Sequence, residues 1–181
     1  MLITAITHAA ARSSDTYNFR GLTAQGQQEA RSAAKHYRKL LSRLANFSGR
    51  QIPAVDVVVS SPKPRCLETV ILFAKDLADL MTTGELEVEA GIKAGDVEGG
   101  ELAELAQRFQ VDHLLVSGHA DLVKTMPEET ELMPEAADGG WFSERPIVFV
   151  VDYDPAKDWS EAKVLACEGL IDGTWQGLLA P

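Results

Sequence analysis

Val55-Asp56-Val57-Val58-Val59-Ser60-Ser61-Pro62-Lys63-Pro64-Arg65 is the stretch whose reading decides the fold. Its first half is almost wholly β-branched, the composition of a strand packed against a sheet. It then breaks into serines and prolines. Ser61 followed by Pro62 reads as an N-cap with proline at the first helical position, where the missing N–H costs nothing. The helix is expected to run to about Met81, with Leu67, Ile71, Leu72, Leu77 and Leu80 available for a core. A strand, a polar turn and a helix in that order are the repeating unit of an open α/β sheet, whose ligands bind along the rim formed by the carboxyl ends of the strands.

The same punctuation recurs outward from this unit. Leu2 to Ile6 is a short apolar run without polar alternation, as in a buried parallel strand, and it ends at Thr7-His8-Ala9. Leu114 to Ser117 is another, ending at Gly118-His119. Between them, Arg20-Gly21-Leu22-Thr23 precedes a long helical pattern. There Thr23 is the expected N-cap, and Ala30, Ala33, Ala34, Tyr37, Leu40, Leu41 and Leu44 line one face as far as Ser48-Gly49. Gly21 is read as the residue that lets the chain turn tightly into that helix.

The remaining elements are less sharply written. Leu86 to Ala90 is a weaker strand, Gly91 to Gly100 a glycine-rich acidic loop, and Glu101 to Phe109 a helix. Ala120 to Met126 reads as a short helix and Pro127 to Pro146 as an irregular acidic stretch carrying Trp141 and Phe142. Ile147 to Val151 and Lys163 to Cys167 are two further strands, read as a closing hairpin. The alternation predicts one α/β domain over residues 1–181, a three-layer sandwich whose mostly parallel central sheet is flanked by helices.

Composition narrows the function. The chain has 181 residues, 45% hydrophobic content and a net charge of −10, which suits one sizeable core and opposes a nucleic-acid footprint. No run approaches the roughly 18 apolar residues of a membrane span, and no signal-peptide pattern is present, so a cytoplasmic location is expected. Cys66 and Cys167 have no metal-ligand or disulfide spacing. An anionic substrate must therefore find a local positive pocket within a negative field.

The strand ends supply the residues for one. Arg65 lies in the first turn of its helix, near the positive end of the dipole, and Arg20 precedes the long helix. Guanidinium forks match the peripheral oxygens of a phosphoryl group. A neutral imidazole is a competent nucleophile near pH 7, which gives His8 that role, while His119 can hydrogen-bond the transferring group. Taken singly, each residue has a plainer reading as a loop histidine or a surface charge. His113 and His119 bracket one strand about 20 Å apart, too far to share a metal. His36, in the long helix, reads as a solvated or rim residue, and Cys66 as a buried packing residue.

Together, Ile6-Thr7-His8-Ala9, Arg20-Gly21-Leu22-Thr23-Ala24-Gln25-Gly26, Val59 to Thr69 and Leu115 to Val123 resemble the histidine phosphatase superfamily, in particular its small phosphohistidine phosphatase branch. The resemblance implies a phosphoglycerate mutase-like fold, His8 as the phosphorylated nucleophile, and Arg20, Arg65 and His119 as the phosphate pocket. It implies no metal and no organic cofactor, and a substrate that is a phosphorylated protein or a small phosphorylated metabolite. The family's Arg-His-Gly is here Thr7-His8-Ala9. Arg12 is the candidate replacement for the lost guanidinium, and Ala9, disfavoured at positive φ, restricts the backbone where glycine is usual. Asp96 and Glu98 are the candidates for a general acid. The alternative is a degenerate member of the same fold that binds phosphate or a protein partner without turnover, and Thr7 favours it.

Overall fold

The structure, a computed structural model, describes residues 1–12, 20–82, 86–89, 92, 99–119, 122, 146–171 and 173–179. Among these residues lie three α-helices and a sheet of seven strands. In chain order they are β1 (Leu2–Thr7), α1 (Ala24–Ser48), β2 (Val57–Ser60), α2 (Pro64–Lys75), β3 (Leu86–Val88), α3 (Gly99–Phe109), β4 (His113–Gly118), β5 (Ile147–Asp152), β6 (Lys163–Ile171) and β7 (Thr174–Leu179). The Ala120 to Met126 helix, Leu122 apart, and the Pro127 to Pro146 stretch before its last residue fall outside the described residues, as do Trp141 and Phe142.

The sheet runs β3-β2-β4-β1-β5-β6-β7. β1 to β4 are parallel, β5 is antiparallel to β1, and β6 and β7 continue as an antiparallel meander. Five of the seven strands thus point the same way. β1 alternates cleanly. Leu2 and Ile6 pack with α1 and α2, whereas Ile3 and Ala5 pack with α3 on the other face. Helices on both faces explain why β1 and β4 are buried throughout and read as continuous apolar runs. The chain moves outward from β1 to β3 with helices on one face, then returns to β4 with α3 on the other. That reversal leaves β4 between β2 and β1, the place where such sheets open a ligand crevice.

α1 starts and ends as its sequence indicates. Thr23 Oγ1 accepts from Gly26 N at 2.9 Å, Gly49 closes the helix in the left-handed region at φ 63°, and all seven expected apolar residues are buried. α2 differs. Pro64 takes the first helical position, with Lys63 as N-cap, because Ser61 N–H still pairs with Ser117 O at 2.9 Å and the chain needs two more residues to turn. The buried apolar face is consequently Cys66, Val70 and Phe73, continued by Leu77 beyond the helix; Ile71 is exposed and Leu67 and Leu72 are half-buried. The helix stops at Lys75, where Leu77 N–H turns back to Ala74 O at 3.0 Å and a 3-10 turn, Ala78–Leu80, follows.

At the other edge, β5 and β6 pair as the expected hairpin, and β7 is an addition to it. Ile171 pairs with Thr174, so the connection is a two-residue turn with Gly173 at φ 77°. Gly177 sits opposite Glu168, where any Cβ would fall 2.1 Å from Cys167 O. His36 is no solvated residue. Its ring stacks on Trp175 at 4.5 Å and its Nε2 meets the buried carboxylate of Glu168, which Arg43 also holds at 2.9 Å. This cluster fastens the β6–β7 hairpin to α1.

Candidate active site

Parallel register sets the site. Thr7 lies beside Gly118 and Ser60 beside Ser117, so the next residues along β1, β4 and β2, namely His8, His119 and Ser61, emerge side by side on the carboxyl rim. His8 N–H donates to Gly118 O at 2.9 Å, which extends the β1–β4 ladder by one rung. The two imidazole rings then meet edge to face with centroids 5.5 Å apart.

Arg65, one residue into α2, is 3% exposed, and its Nη2 donates to His119 Nδ1 at 3.1 Å. A guanidinium has no acceptor, so Nδ1 of His119 must accept and its ring proton lies on Nε2, 3.2 Å from Ser61 Oγ. His8 is set the other way. Its Nδ1 faces the carbonyl of Ala9 at 2.9 Å, a group that only accepts, so Nδ1 carries the proton and Nε2 keeps its lone pair. Burial lowers the His8 pKa to about 4; the Ala9 hydrogen bond opposes this, and the positive charges of Arg65 and Arg20 add to it. His8 is therefore neutral at physiological pH, with two cations near enough to weigh on its titration.

Arg20 returns to this rim through a short antiparallel bridge between Ala11 and Leu22, with Arg12 N–H on Gly21 O at 3.0 Å. Arg12 itself is exposed, and its Nε donates to Leu22 O at 3.2 Å. Gly21 lies against the Glu68 carboxylate, which accepts Leu22 N–H at 2.7 Å: a Cβ would lie 2.3 Å from Glu68 Oε1, so a larger residue would displace that carboxylate. Ala9 is not at positive φ, so alanine after the histidine carries no backbone strain here. Thr7 is buried, and its hydroxyl accepts Ile147 N–H at 2.8 Å, tying the end of β1 to the start of β5. Asp96 and Glu98 lie outside the described residues. Among the described residues, no group of three or more His, Cys, Asp or Glu could hold a metal ion.

Some residues of this site were not singled out from the sequence. Ser61 faces His119, and Thr69 Oγ1 accepts Ala9 N–H at 3.1 Å while donating to Arg65 O at 2.7 Å. The signal for Thr69 was its four-residue spacing from Arg65, which places both on one face of α2. Cys66 is the packing residue expected. It is fully buried, 3.7 Å from the His119 ring nitrogens, and burial pushes its thiol up to about 12, out of reach of nucleophilic chemistry.

The sequence matches no protein-family model and no curated protein. Solved structures do match. A protein from Agrobacterium tumefaciens assigned as the phosphohistidine phosphatase SixA superposes with a TM-score of 0.58 at 17% identity, over 92% of this chain and 96% of that one. The protein histidine phosphatase SixA complexed with tungstate gives 0.55 at 21%, over 91% and 94%. A phosphoserine phosphatase mutant from Entamoeba histolytica, in complex with phosphoserine, gives 0.53 at 12%, over 92% and 95%. The chain shares its fold with these phosphatase structures. Within this fold, His8, His119 and Arg65 occupy the carboxyl rim at β1, β4 and the start of α2, and Arg20 the loop entering α1. Thr7, by contrast, fills the place before the histidine with a hydroxyl committed to the sheet.

Proposed function

We propose that the protein is a phosphatase in which His8 is the nucleophile, acting on phosphohistidine or a small phosphomonoester. In the first step the Nε2 lone pair of His8 attacks phosphorus. The bond to the leaving oxygen or nitrogen breaks, and that atom departs with its electron pair and takes a proton from solvent. Water then attacks the phosphohistidine, releasing inorganic phosphate and returning Nε2 to its starting state. Arg65 and Arg20 hold the phosphoryl oxygens and His119 donates through Nε2–H, turning from Ser61 to the substrate. Arg12, engaged with Leu22, braces the loop that carries Arg20.

One observation carries this reading. The two imidazoles stand 5.5 Å apart in opposite tautomers beside a guanidinium: His8 carries its proton on Nδ1 and its lone pair on Nε2, and His119 the reverse. A structural histidine pair has no need of that polarity. With one guanidinium fewer than the family pattern, the pocket suits a leaving group that departs readily. Phosphohistidine meets that condition better than an alkyl ester, which supports it as substrate. Among the described residues no helix is long and apolar enough to cross a bilayer.

The degenerate reading rests on Thr7 alone, and one comparison separates the two. Wild type and His8→Ala are assayed with p-nitrophenyl phosphate and with a phosphohistidine protein. Turnover that disappears in His8→Ala supports the proposal. Turnover that survives it rejects His8 as nucleophile, and absence of turnover in the wild type, with phosphate still bound, establishes the binding module.

A further inference from the structure

The residue that presents His8 is itself held from the start of α1. Ala10 is clamped by three positions on one face of that helix. Its carbonyl accepts Thr23 N–H at 3.0 Å and Thr23 Oγ1–H at 3.2 Å. Gly26 passes so close that a Cβ would fall 2.0 Å from Ala10 O. The Ala10 N–H donates to Glu29 Oε2 at 3.0 Å, while Gln25 Nε2 donates to Glu29 Oε1 at 2.8 Å. Glu29 is buried, 7% exposed, with both oxygens accepting.

Ala10 N–H belongs to the same peptide plane as the Ala9 carbonyl, the group that takes the Nδ1 proton of His8. A peptide whose N–H donates to a carboxylate shifts electron density onto its own oxygen, and chains of hydrogen bonds strengthen in this way at low dielectric. We propose that Glu29 is a positioning residue for His8, acting through the Ala9–Ala10 peptide: it fixes and polarises the Ala9 carbonyl, which holds the imidazole in its Nδ1–H form with Nε2 directed to the phosphoryl group. The arrangement is a carboxylate–imidazole pair with a peptide inserted between the partners. It steadies the positive charge that the ring acquires on phosphorylation. Thr69, on the Ala9 N–H, pins the preceding peptide, so the carbonyl cannot rotate away.

The inference deepens the phosphatase reading and rests on His8 as the attacking group, yet its first readout needs no turnover. The His8 ring is followed by ¹⁵N NMR in the full-length protein, wild type and with Glu29→Gln or Glu29→Leu. The wild type should show a protonated Nδ1 and an unprotonated Nε2. Glu29→Leu should move the ring toward a mixture of tautomers and lower kcat by about 10- to 100-fold, with KM within about twofold, the signature of a mispositioned group. Glu29→Gln keeps an acceptor without the charge and should fall between the two, with the Nδ1 proton resonance moved upfield. If Glu29→Leu does not fold, the Gln variant decides alone. Unchanged His8 resonances in the folded variants overturn the proposal, whatever the activity. A shifted ring in a protein that hydrolyses no phosphate leaves Glu29 as the holder of His8 and removes the phosphatase reading instead.

Discussion

His113 and His119 flank the same strand, one opening β4 and the other just past its end, and both are buried. At the amino end, His113 Nδ1 donates to Pro53 O at 2.9 Å, and Nε2 lies 2.9 Å from Thr4 Oγ1 and 3.1 Å from Tyr37 OH. Every polar atom of that ring meets a neutral protein group, and nothing is aimed outward. At the carboxyl end, His119 meets a guanidinium, a hydroxyl and a second imidazole. Burial is common to both. What separates the two rings is the company they keep: neutral groups at one end, a guanidinium and a second imidazole at the other.

The largest effect expected from this contrast is on turnover. His119→Ala should lower kcat by about 10² to 10³, as for loss of a donor that acts in the transition state, and Arg65→Ala by at least as much, with little change in urea stability. His113→Leu should do the reverse. It strands the Pro53 carbonyl and should cost about 1–3 kcal/mol in urea unfolding, with the folded enzyme's kcat within about twofold of wild type. Loss of activity in folded His113→Leu would erase the distinction between the two ends.

Acid sharpens it further. Burial lowers the pKa of His113 below its ordinary 6.5, and that of His8 to about 4. The unfolded chain binds these protons first as pH falls, so stability is complete above about pH 6.5 and declines below it. The urea midpoint should drop between pH 7 and pH 5, and more gently in His113→Leu. The activity of the free enzyme should meanwhile persist to low pH. After allowance for substrate ionisation, the acid limb of kcat/KM should lie near 4; a limb near 6.5 would mean that His8 titrates as an exposed histidine. Smallest of all is Arg12→Ala, expected to change kcat by less than about threefold, because its Nε is spent on Leu22 O. A loss as large as that of Arg65→Ala would place Arg12 on the phosphoryl group.

The two ends were not equally legible. The runs ending at Ile6, Val59 and Ser117 are unbroken and β-branched or leucine-rich because both sheet faces are covered, and that made the carboxyl rim and its histidines readable. α1 was equally plain, since its alanines and leucines keep one phase for 25 residues. α2 was misphased because Pro62 and Pro64 are both fit for a first helical position, and only the extra rung at Ser61 chooses between them. β7 was missed although Asp172-Gly173 is a hairpin signal, for the strand that follows has Gln176 and Gly177 in its middle. Glu29 could not be found at all, because its role depends on the backbone of residue 10, which side-chain patterns do not encode, and Thr69 showed only its four-residue spacing from Arg65.

The most direct measurement is to trap the covalent species. Wild-type protein is mixed with substrate, quenched in alkali within a turnover, digested and examined by mass spectrometry. One phosphate should appear on the peptide containing His8, stable in base and lost in acid, and should be absent from His8→Ala. Steady hydrolysis with no phosphate ever on His8, or with the label on another residue, would contradict the account.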